Sequence, residues 1–276
     1  MPYPNTLNGE RKTVAVVVPL SNRSHFTADE EISFRHLKNY LGAYDKYLVV
    51  PKSLKIERPG FKIKPFDDHF FGSIAAHTRM MLDPTFYEAF QDYEFILTYH
   101  LDALVFSDQL MEWCDRGYDF IGAPRLGQSD TPHVVGNGGF ALRKVESLLK
   151  VLRSDEYAVD PSAFWESFSA GKSLSLQLAN LPRKYLKRFR PLNNIRRDVA
   201  AYLREPFPCE DIFLSERATK YYPEFNFAPL EMAFRFAFDE VPRLCFEITG
   251  ETLPFGCHAW HKQDRKFWEP FLLSES

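Results

Sequence analysis

The feature that most constrains the fold of this chain is a short apolar run near its start, Val14–Val18. Five consecutive apolar residues, four of them valine, are typical of a strand that is buried on both faces, as strands of a parallel sheet are. Pro19-Leu20-Ser21 ends this strand. A helix is predicted to begin soon afterwards, because Thr27 and Glu30 have the spacing of a capping box.

The first half of the chain continues this alternation of strands and helices. Further strands are predicted at Tyr47–Val50, Phe61–Phe66, Glu94–Tyr99, Asp119–Gly122 and Gly139–Arg143, and further helices at Ser73–Leu82, from Pro84 onwards and at Ser107–Arg116. This order implies an α/β fold with a mostly parallel sheet and helices on both faces. Residues 144–205 are predicted to be mainly helical, and we interpret them as a partly basic insertion in a single domain over residues 1–276.

The composition excludes several classes of protein. Hydrophobic residues make up 45% and charged residues 26%, which excludes wholly disordered, collagen-like and disulfide-scaffold chains. The net charge of −3 gives no basic excess that would indicate a nucleic-acid partner. No apolar run approaches the ~18 residues of a membrane span, and the start lacks the apolar segment of a secretory signal. With four scattered cysteines and no CxxC pair, we expect a cytoplasmic protein with reduced thiols.

An acid lies three residues after Tyr99, the last residue of a predicted strand. Asp102 lies at the carboxyl end of this strand, where open α/β sheets bind their ligands. An isolated buried carboxylate is costly unless it is paired or bound to a metal. Asp102 is therefore a candidate ligand-binding residue, and the alternative is a carboxylate that only stabilises the turn after the strand.

The segment Gly136–Gly139 contains three glycines directly before a predicted strand. Glycine lets the backbone approach a ligand closely or adopt a positive φ. The segment is consequently either part of a ligand site or a tight turn.

Two acids, Glu210 and Asp211, open an apolar helix. Acids stabilise the first turn of a helix through its dipole, which is the simpler interpretation. The functional interpretation is a general base that takes a proton from a hydroxyl group.

The segment Pro254–His261 places two histidines among small and aromatic residues. Most single histidines are structural. Here His258 can supply a neutral nitrogen to a metal ion, and Trp260 a flat apolar face for a sugar ring.

Positive charge clusters in Arg183–Arg190, followed by Arg196 and Arg197. A solvated helical face is the simpler interpretation. The alternative is a patch that binds an anionic acceptor, a phosphate group or a lipid surface, which includes peripheral contact with a membrane.

The order of these signals resembles that of the GT-A glycosyltransferases, which carry a DxD-type metal motif, a glycine-rich loop, an xED motif and a C-terminal histidine in this sequence. The resemblance covers roughly residues 12–262. The strings GNGGF, CEDIF and PFGCHAW also resemble a group of uncharacterised GT-A-like microbial proteins. The resemblance implies a GT-A-like (Rossmann-like) fold.

The resemblance also implies a role for each candidate residue. Asp102 takes the place of the second acid of DxD, and His100, which departs from the motif, stands where the first acid would be. With His258 they are the expected ligands of Mn²⁺ or Mg²⁺. Asp211 is the expected base, with Glu210 beside it. The remaining roles are binding of the donor nucleotide (Pro19, Leu20, Ser21, Asp102, Gly138 and Gly139) and contact with the acceptor or the sugar (Asn137 and Trp260).

We therefore predict a hexosyltransferase-type enzyme of polysaccharide biosynthesis that moves a sugar from a nucleotide diphosphate sugar to a glycan or other hydroxyl acceptor. A carboxylate base opposite the leaving group favours inversion, and retention stays open. One alternative is a non-catalytic nucleotide-sugar-binding scaffold that has lost its metal because of His100. The other is a nucleotidyltransferase, which is disfavoured because Pro19–His25 contains no glycine for a phosphate loop.

Overall fold

The computed structural model of the protein describes residues 12–125, 133–155, 165–166, 169–186 and 194–274. The strands in these ranges are β1 Lys12–Pro19, β2 Asp45–Pro51, β3 Lys62–Phe66, β4 Tyr93–Tyr99, β5 Leu104–Val105, β6 Phe120–Arg125, β7 His133–Lys144, β8 Ala237–Phe238 and β9 Gly256–Cys257. The helices are α1 Ala28–Leu41, α2 Ile74–Met81, α3 Pro84–Glu88, α4 Leu110–Asp115, α5 Val145–Arg153, α6 Leu174–Leu186, α7 Ile195–Tyr202, α8 Glu210–Tyr221, α9 Leu230–Phe236, α10 Pro242–Ile248, α11 Trp260–Gln263 and α12 Arg265–Trp268.

The main sheet has the strand order β3-β2-β1-β4-β7-β6. Strand β1 pairs in parallel with β2 and β4, and β2 pairs in parallel with β3. Strand β7 is antiparallel to both β4 and β6, so β7 alone is reversed among the six described strands of this sheet. The predicted fold class, α/β with a mainly parallel sheet flanked by helices, is confirmed. A small second sheet has the order β5-β9-β8.

The valine-rich strand β1 is buried on both faces, as its sequence predicts. Ala15 and Val17 pack in a core cluster that includes residues of α3, α5 and α8. Val14, Val16 and Val18 pack on the opposite face, in a cluster with residues of α1 and α4. Burying one such valine contributes about 1.5–3 kcal/mol, so this strand is held at the centre of the fold from both sides.

The parallel strands bring their carboxyl ends to one edge of the sheet. Pro19 ends β1, and His100 follows the end of β4. The reversed strand β7 runs alongside β4, with Phe140 opposite Tyr99, so Gly139 lies just beyond the end of β4. The capping box predicted at the start of α1 is present, with Thr27 and Glu30 exchanging hydrogen bonds of 2.8 and 3.3 Å.

Two local predictions are corrected. The glycines of Gly136–Gly139 lie inside β7 rather than in a turn before a strand, and none of them has a positive φ. The helix predicted at Ser107–Arg116 is shorter, because α4 spans only Leu110–Asp115.

The predicted helical and basic insertion contains α5, α6 and α7. Helix α6 ends at Leu186, and residues 187–193 lie outside the described residues, as does much of the basic segment Arg183–Arg190. In the part of the chain that the structure describes, no helix is long and apolar enough to cross a membrane.

Candidate active site

A cleft of about 790 Å³ opens at the carboxyl ends of β1 and β4. Residues from widely separated parts of the chain line it, including all but one of the candidates identified from the sequence. These are Pro19, Leu20, Ser21, His100, Asp102, Asn137, Gly138, Gly139, Glu210, Asp211 and His258. The exception is Trp260.

Three of these residues form a cluster with the geometry of a metal site. Ligand atoms of His100, Asp102 and His258 all lie within 4.8 Å of one another. His258 Nε2 is 3.2 Å from Asp102 Oδ1. The two residues meet because β9, which directly precedes His258, pairs with β5, which closely follows Asp102. The structure therefore brings the three predicted metal ligands together.

The electrostatics of this cluster suit a cation. Burial alone would raise the pKa of Asp102, but its contacts with His258 and with Lys262, whose Nζ is 2.6 Å from Asp102 Oδ2, hold that pKa well below its usual range. Burial, together with the neighbouring His77 and His258, lowers the pKa of His100 to about 3, so its imidazole is neutral. His100 Nε2 is buried and has no hydrogen-bond partner. A neutral imidazole nitrogen and a carboxylate are the donors that first-row divalent metals accept.

Asp239, which the sequence reading missed, supports His258 from behind. Asp239 Oδ1 lies 3.2 Å from His258 Nδ1, and Asp239 Oδ2 accepts a 2.8 Å hydrogen bond from Asn137 Nδ2. Asn137 Oδ1 in turn accepts the backbone N–H of Gly139 at 2.8 Å. Burial alone would lower the pKa of His258, but the two carboxylates Asp102 and Asp239 raise it to about 9. An acid just after an apolar strand is the same sequence signal that identified Asp102.

The two acids at the start of α8 have different surroundings. Glu210 Oε1 accepts a 2.8 Å hydrogen bond from Arg143, whose side chain is fully buried. Burial alone would raise the pKa of Glu210, but the charge of Arg143 holds it below its usual value. Glu210 is therefore a fixed, ion-paired carboxylate.

Asp211 differs from Glu210 in the direction of its pKa shift. Its Oδ2 accepts hydrogen bonds from Arg125 Nη2 at 2.8 Å and from the backbone N–H of Gly138 at 3.2 Å. Burial and the charge of Glu210 nevertheless raise the pKa of Asp211. The N-cap residue of α8 is Cys209, but Asp211 Oδ1 also accepts a 2.7 Å hydrogen bond from the backbone N–H of Ile212 in the first turn of the helix.

Gly138 and Gly139 lie between Glu210 on one side and His258 on the other. A side chain at Gly138 would collide with Glu210 and Arg143, and a side chain at Gly139 would collide with the ring of His258. The close approach of neighbouring side chains, rather than a special φ, is therefore what requires glycine here.

Trp260 does not face the cleft. Its indole is completely buried, in a cluster with Leu104, Cys257 and Phe267. The expectation that its ring contacts a sugar is therefore wrong: the tryptophan that follows β9 packs into the small hydrophobic core below the site.

Other residues of the cleft carried no recognised signal in the sequence. His77 lies on α2, with its ring centroid 5.0 Å from that of His100. Arg125 and Lys262 contact the predicted acids directly, as described above. Each is one charged or titratable residue in an otherwise ordinary helix or strand, so its role becomes visible only from its neighbours in space.

Comparison with known proteins places the chain in a family but leaves its activity open. A family profile with the description "Protein of unknown function (DUF5672)" matches residues 60–258. No curated protein matches the chain significantly.

The chain is also similar in fold to solved glycosyltransferases. A glycosyltransferase involved in the glycosylation of the major capsid of PBCV-1 is 11% identical, with a TM-score of 0.44 over 94% of this chain and 98% of that chain. The galactosyltransferase LgtC, in complex with donor and acceptor sugar analogues, is 14% identical, with a TM-score of 0.48 over 95% of this chain and 97% of that chain. The apo form of the glycosyltransferase GlyE of Streptococcus pneumoniae TIGR4 is 12% identical, with a TM-score of 0.48 over 96% of this chain and 61% of that chain. At TM-scores below 0.5, these likenesses carry no argument about function.

Proposed function

Because the chain belongs to the DUF5672 family, whose description assigns no activity, we propose its function from the cleft itself: transfer of a sugar from a nucleotide diphosphate sugar to a hydroxyl acceptor. One observation carries this proposal. A cluster suited to a cation (His100, Asp102 and His258) and a buried carboxylate with a raised pKa, Asp211, line the same cleft.

Glycosyl transfer needs both of these features close together. The departing diphosphate requires positive charge, and the acceptor hydroxyl requires a base, with the anomeric carbon between them. In the cleft, the backbone of Gly138 donates to Asp211, and Gly139 packs against His258. Gly138 and Gly139 are consecutive residues of β7, so Asp211 and His258 contact neighbouring positions of one strand in the same cleft.

The residues present fit a divalent metal. The cluster offers two imidazoles and one carboxylate, and the buried Nε2 of His100 has no hydrogen-bond partner. Because the pKa of His258 is raised to about 9, its imidazole has to release a proton when a metal binds. Nitrogen donors favour Mn²⁺ over Mg²⁺, because Mg²⁺ prefers oxygen ligands. When bound there, a divalent cation supplies positive charge to the departing diphosphate.

The chain's own residues perform the remaining tasks. Asp239 holds the imidazole of His258 through Nδ1, which leaves Nε2 directed at Asp102 and the cleft. Lys262, bound to Asp102 and largely exposed, adds a positive charge at the same end. Pro19, Leu20 and Ser21, at and just after the end of β1, line the cleft and are the proposed place of the nucleotide.

At the other end, Asp211 takes the proton of the acceptor hydroxyl. The acceptor oxygen then bonds to the anomeric carbon, while the bond from that carbon to the diphosphate oxygen breaks and the diphosphate leaves with the electron pair. A base facing the leaving group across the sugar favours inversion of the anomeric centre. Inversion, the glycan acceptor, the membrane contact and the cytoplasmic location stay predictions.

The test is a donor assay on the full chain. The protein is mixed with UDP-glucose, UDP-galactose or GDP-mannose, with Mn²⁺, with Mg²⁺ or with a chelator. We expect release of the nucleoside diphosphate from one donor, faster with Mn²⁺ than with Mg²⁺, and faster still when acceptor glycans are added.

Two outcomes would contradict the proposal. Binding of a nucleotide sugar without turnover of any donor would identify a scaffold. Release of inorganic diphosphate from a nucleoside triphosphate and a sugar phosphate would identify a nucleotidyltransferase.

A further inference from the structure

His77 is the residue of the cleft that the proposed reaction does not use. It lies on α2 and lines the cleft, and its Nε2 is buried without a hydrogen-bond partner. Buried polar atoms of native proteins are almost always hydrogen-bonded, so an unpartnered nitrogen at the wall of a cleft indicates a missing ligand atom.

His77 is not part of the candidate metal cluster. Within the described residues, the only group of metal-binding side chains close enough to share an ion is His100, Asp102 and His258. His77 contacts His100 edge to face, with 5.0 Å between the ring centroids, and His100 contacts His258 in the same way at 5.5 Å. The three imidazoles therefore form a row in the order His77, His100, His258, and His77 lies beside the candidate metal cluster.

The other neighbours of His77 belong to the opposite end of the cleft. Thr78, the next residue of α2, donates a 2.9 Å hydrogen bond to the carbonyl oxygen of Pro208, two residues before Glu210, and Glu210 immediately precedes the proposed base. His77 thus borders the space between the group that holds the diphosphate and the group that takes the proton. In the proposed reaction, that space contains the transferred sugar.

The hydrogen-bonding capacity of the imidazole of His77 suits a hydroxyl ligand. An imidazole nitrogen donates or accepts one hydrogen bond, and a sugar hydroxyl can do either.

We propose that His77 Nε2 hydrogen-bonds a hydroxyl group of the transferred sugar, and that His77 thereby contributes to the choice of donor. This inference rests on the proposed function. It assigns His77 a specificity role rather than a role in the chemical step.

The experiment compares affinities of the full-length protein for the nucleoside diphosphate alone and for its sugar conjugate. The conjugate is whichever of UDP-glucose, UDP-galactose and GDP-mannose the wild type binds most tightly by calorimetry. His77→Phe keeps the ring and removes both nitrogens, and His77→Gln retains a polar group near the position of Nε2. The matched control is His69→Gln, because His69 is exposed and outside the cleft.

We expect His77→Phe to weaken binding of the nucleotide sugar by about three- to tenfold, the value of one hydrogen bond. Binding of the nucleoside diphosphate and of Mn²⁺ should change less than twofold. His77→Gln should recover part of the loss, and His69→Gln should behave as the wild type. Deoxy analogues of the donor sugar identify the hydroxyl that His77 binds. The analogue that lacks this hydroxyl should bind the wild type and His77→Phe with equal affinity.

Several results would overturn the inference. An equal loss for the diphosphate and its conjugate would assign His77 to the phosphates, and a loss of Mn²⁺ affinity would assign it to the metal. Unchanged affinities would make His77 a structural residue, as would failure of both variants to fold. If the wild type binds no nucleotide sugar at all, the proposed function fails first, and the role of His77 fails with it.

Discussion

The two ends of the main sheet both carry carboxylates with shifted pKa values, but they differ in how fully their polar groups are satisfied. At the amino end, Asp45 begins β2 and accepts hydrogen bonds from Lys12 at 2.7 Å and from Lys62 and Tyr93 at 2.6 Å. Burial alone would raise the pKa of Asp45, but these donors hold it far below its usual value.

At the carboxyl end, the polar groups are not all satisfied. His77 Nε2, His100 Nε2 and Arg125 Nε are buried without partners, and the pKa of Asp211 is raised rather than lowered. A cleft of about 790 Å³ lies against these groups, so a ligand can reach them. The comparison teaches that a shifted pKa alone does not mark a functional site, whereas unsatisfied groups around a cleft do.

The largest expected effect is that of Asp211→Asn. Asparagine keeps the shape of the side chain but cannot take a proton, so the rate of transfer should fall by about 10²–10⁴-fold with nearly unchanged nucleotide affinity. Single-turnover transfer and calorimetry on the same preparation measure both. The pKa of Asp211 is raised, so Asp211 takes up a proton at a higher pH than an ordinary aspartate does. As the pH is lowered, the rate of the wild type should therefore begin to fall earlier than it would with an unperturbed aspartate as the base.

Asp45→Asn is the matched control for that substitution, since it makes the same chemical change at the other end of the sheet. It should leave the rate of transfer unchanged. Glu210→Gln is a poorer control, because it would leave the buried charge of Arg143 without its partner. Near-wild-type transfer by Asp211→Asn would contradict the assignment of the base.

An intermediate effect is expected for Asp239→Asn. This carboxylate orients His258 but lies behind it, and loss of such a supporting group typically weakens metal binding by about 10–100-fold. Titration with Mn²⁺, followed by electron paramagnetic resonance of the free ion, measures the affinity. Asp45→Asn should bind Mn²⁺ as the wild type does, and equal affinities for Asp239→Asn and the wild type would remove Asp239 from the site.

The smallest expected effect is a loss of stability on substitution of Asp45, at the amino end of the main sheet. Asp45→Asn should lower the free energy of unfolding at pH 7 by about 1–2 kcal/mol, because hydrogen bonds to a charged group are lost. A lowered pKa stabilises the folded state above the ordinary pKa of aspartate, and this contribution is lost as the pH falls below about 4.

Urea unfolding at pH 7 and pH 3 tests this pH dependence. The difference between the wild type and Asp45→Asn should shrink at the lower pH. Asp108→Asn, at an exposed carboxylate, is the control for the loss of a charge alone. An undiminished difference at pH 3 would show that the charge of Asp45 does not stabilise the fold.

Much of the site was visible in the sequence because its residues lie just after strands or at the start of a helix. Asp102 was identified by its place after β4, and Glu210 and Asp211 by their place at the start of α8. Asp239 has the same kind of signal but was overlooked, since β8 is only two residues long. His77 and Arg125 have no local pattern, and only their neighbours in space distinguish them from other charged or aromatic residues.

The sequence by itself determined the elements that depend on neighbours along the chain. The strand Val14–Val18 and the capping box of Thr27 follow from side chains and hydrogen bonds within a few residues. Only the tertiary structure decided which candidates meet. Pairing of β5 with β9 joins His258 to Asp102, and the same pairing carries Trp260 into the core instead of the cleft. The physical reason is that strand pairing and burial couple distant segments, and no short stretch of sequence contains both partners.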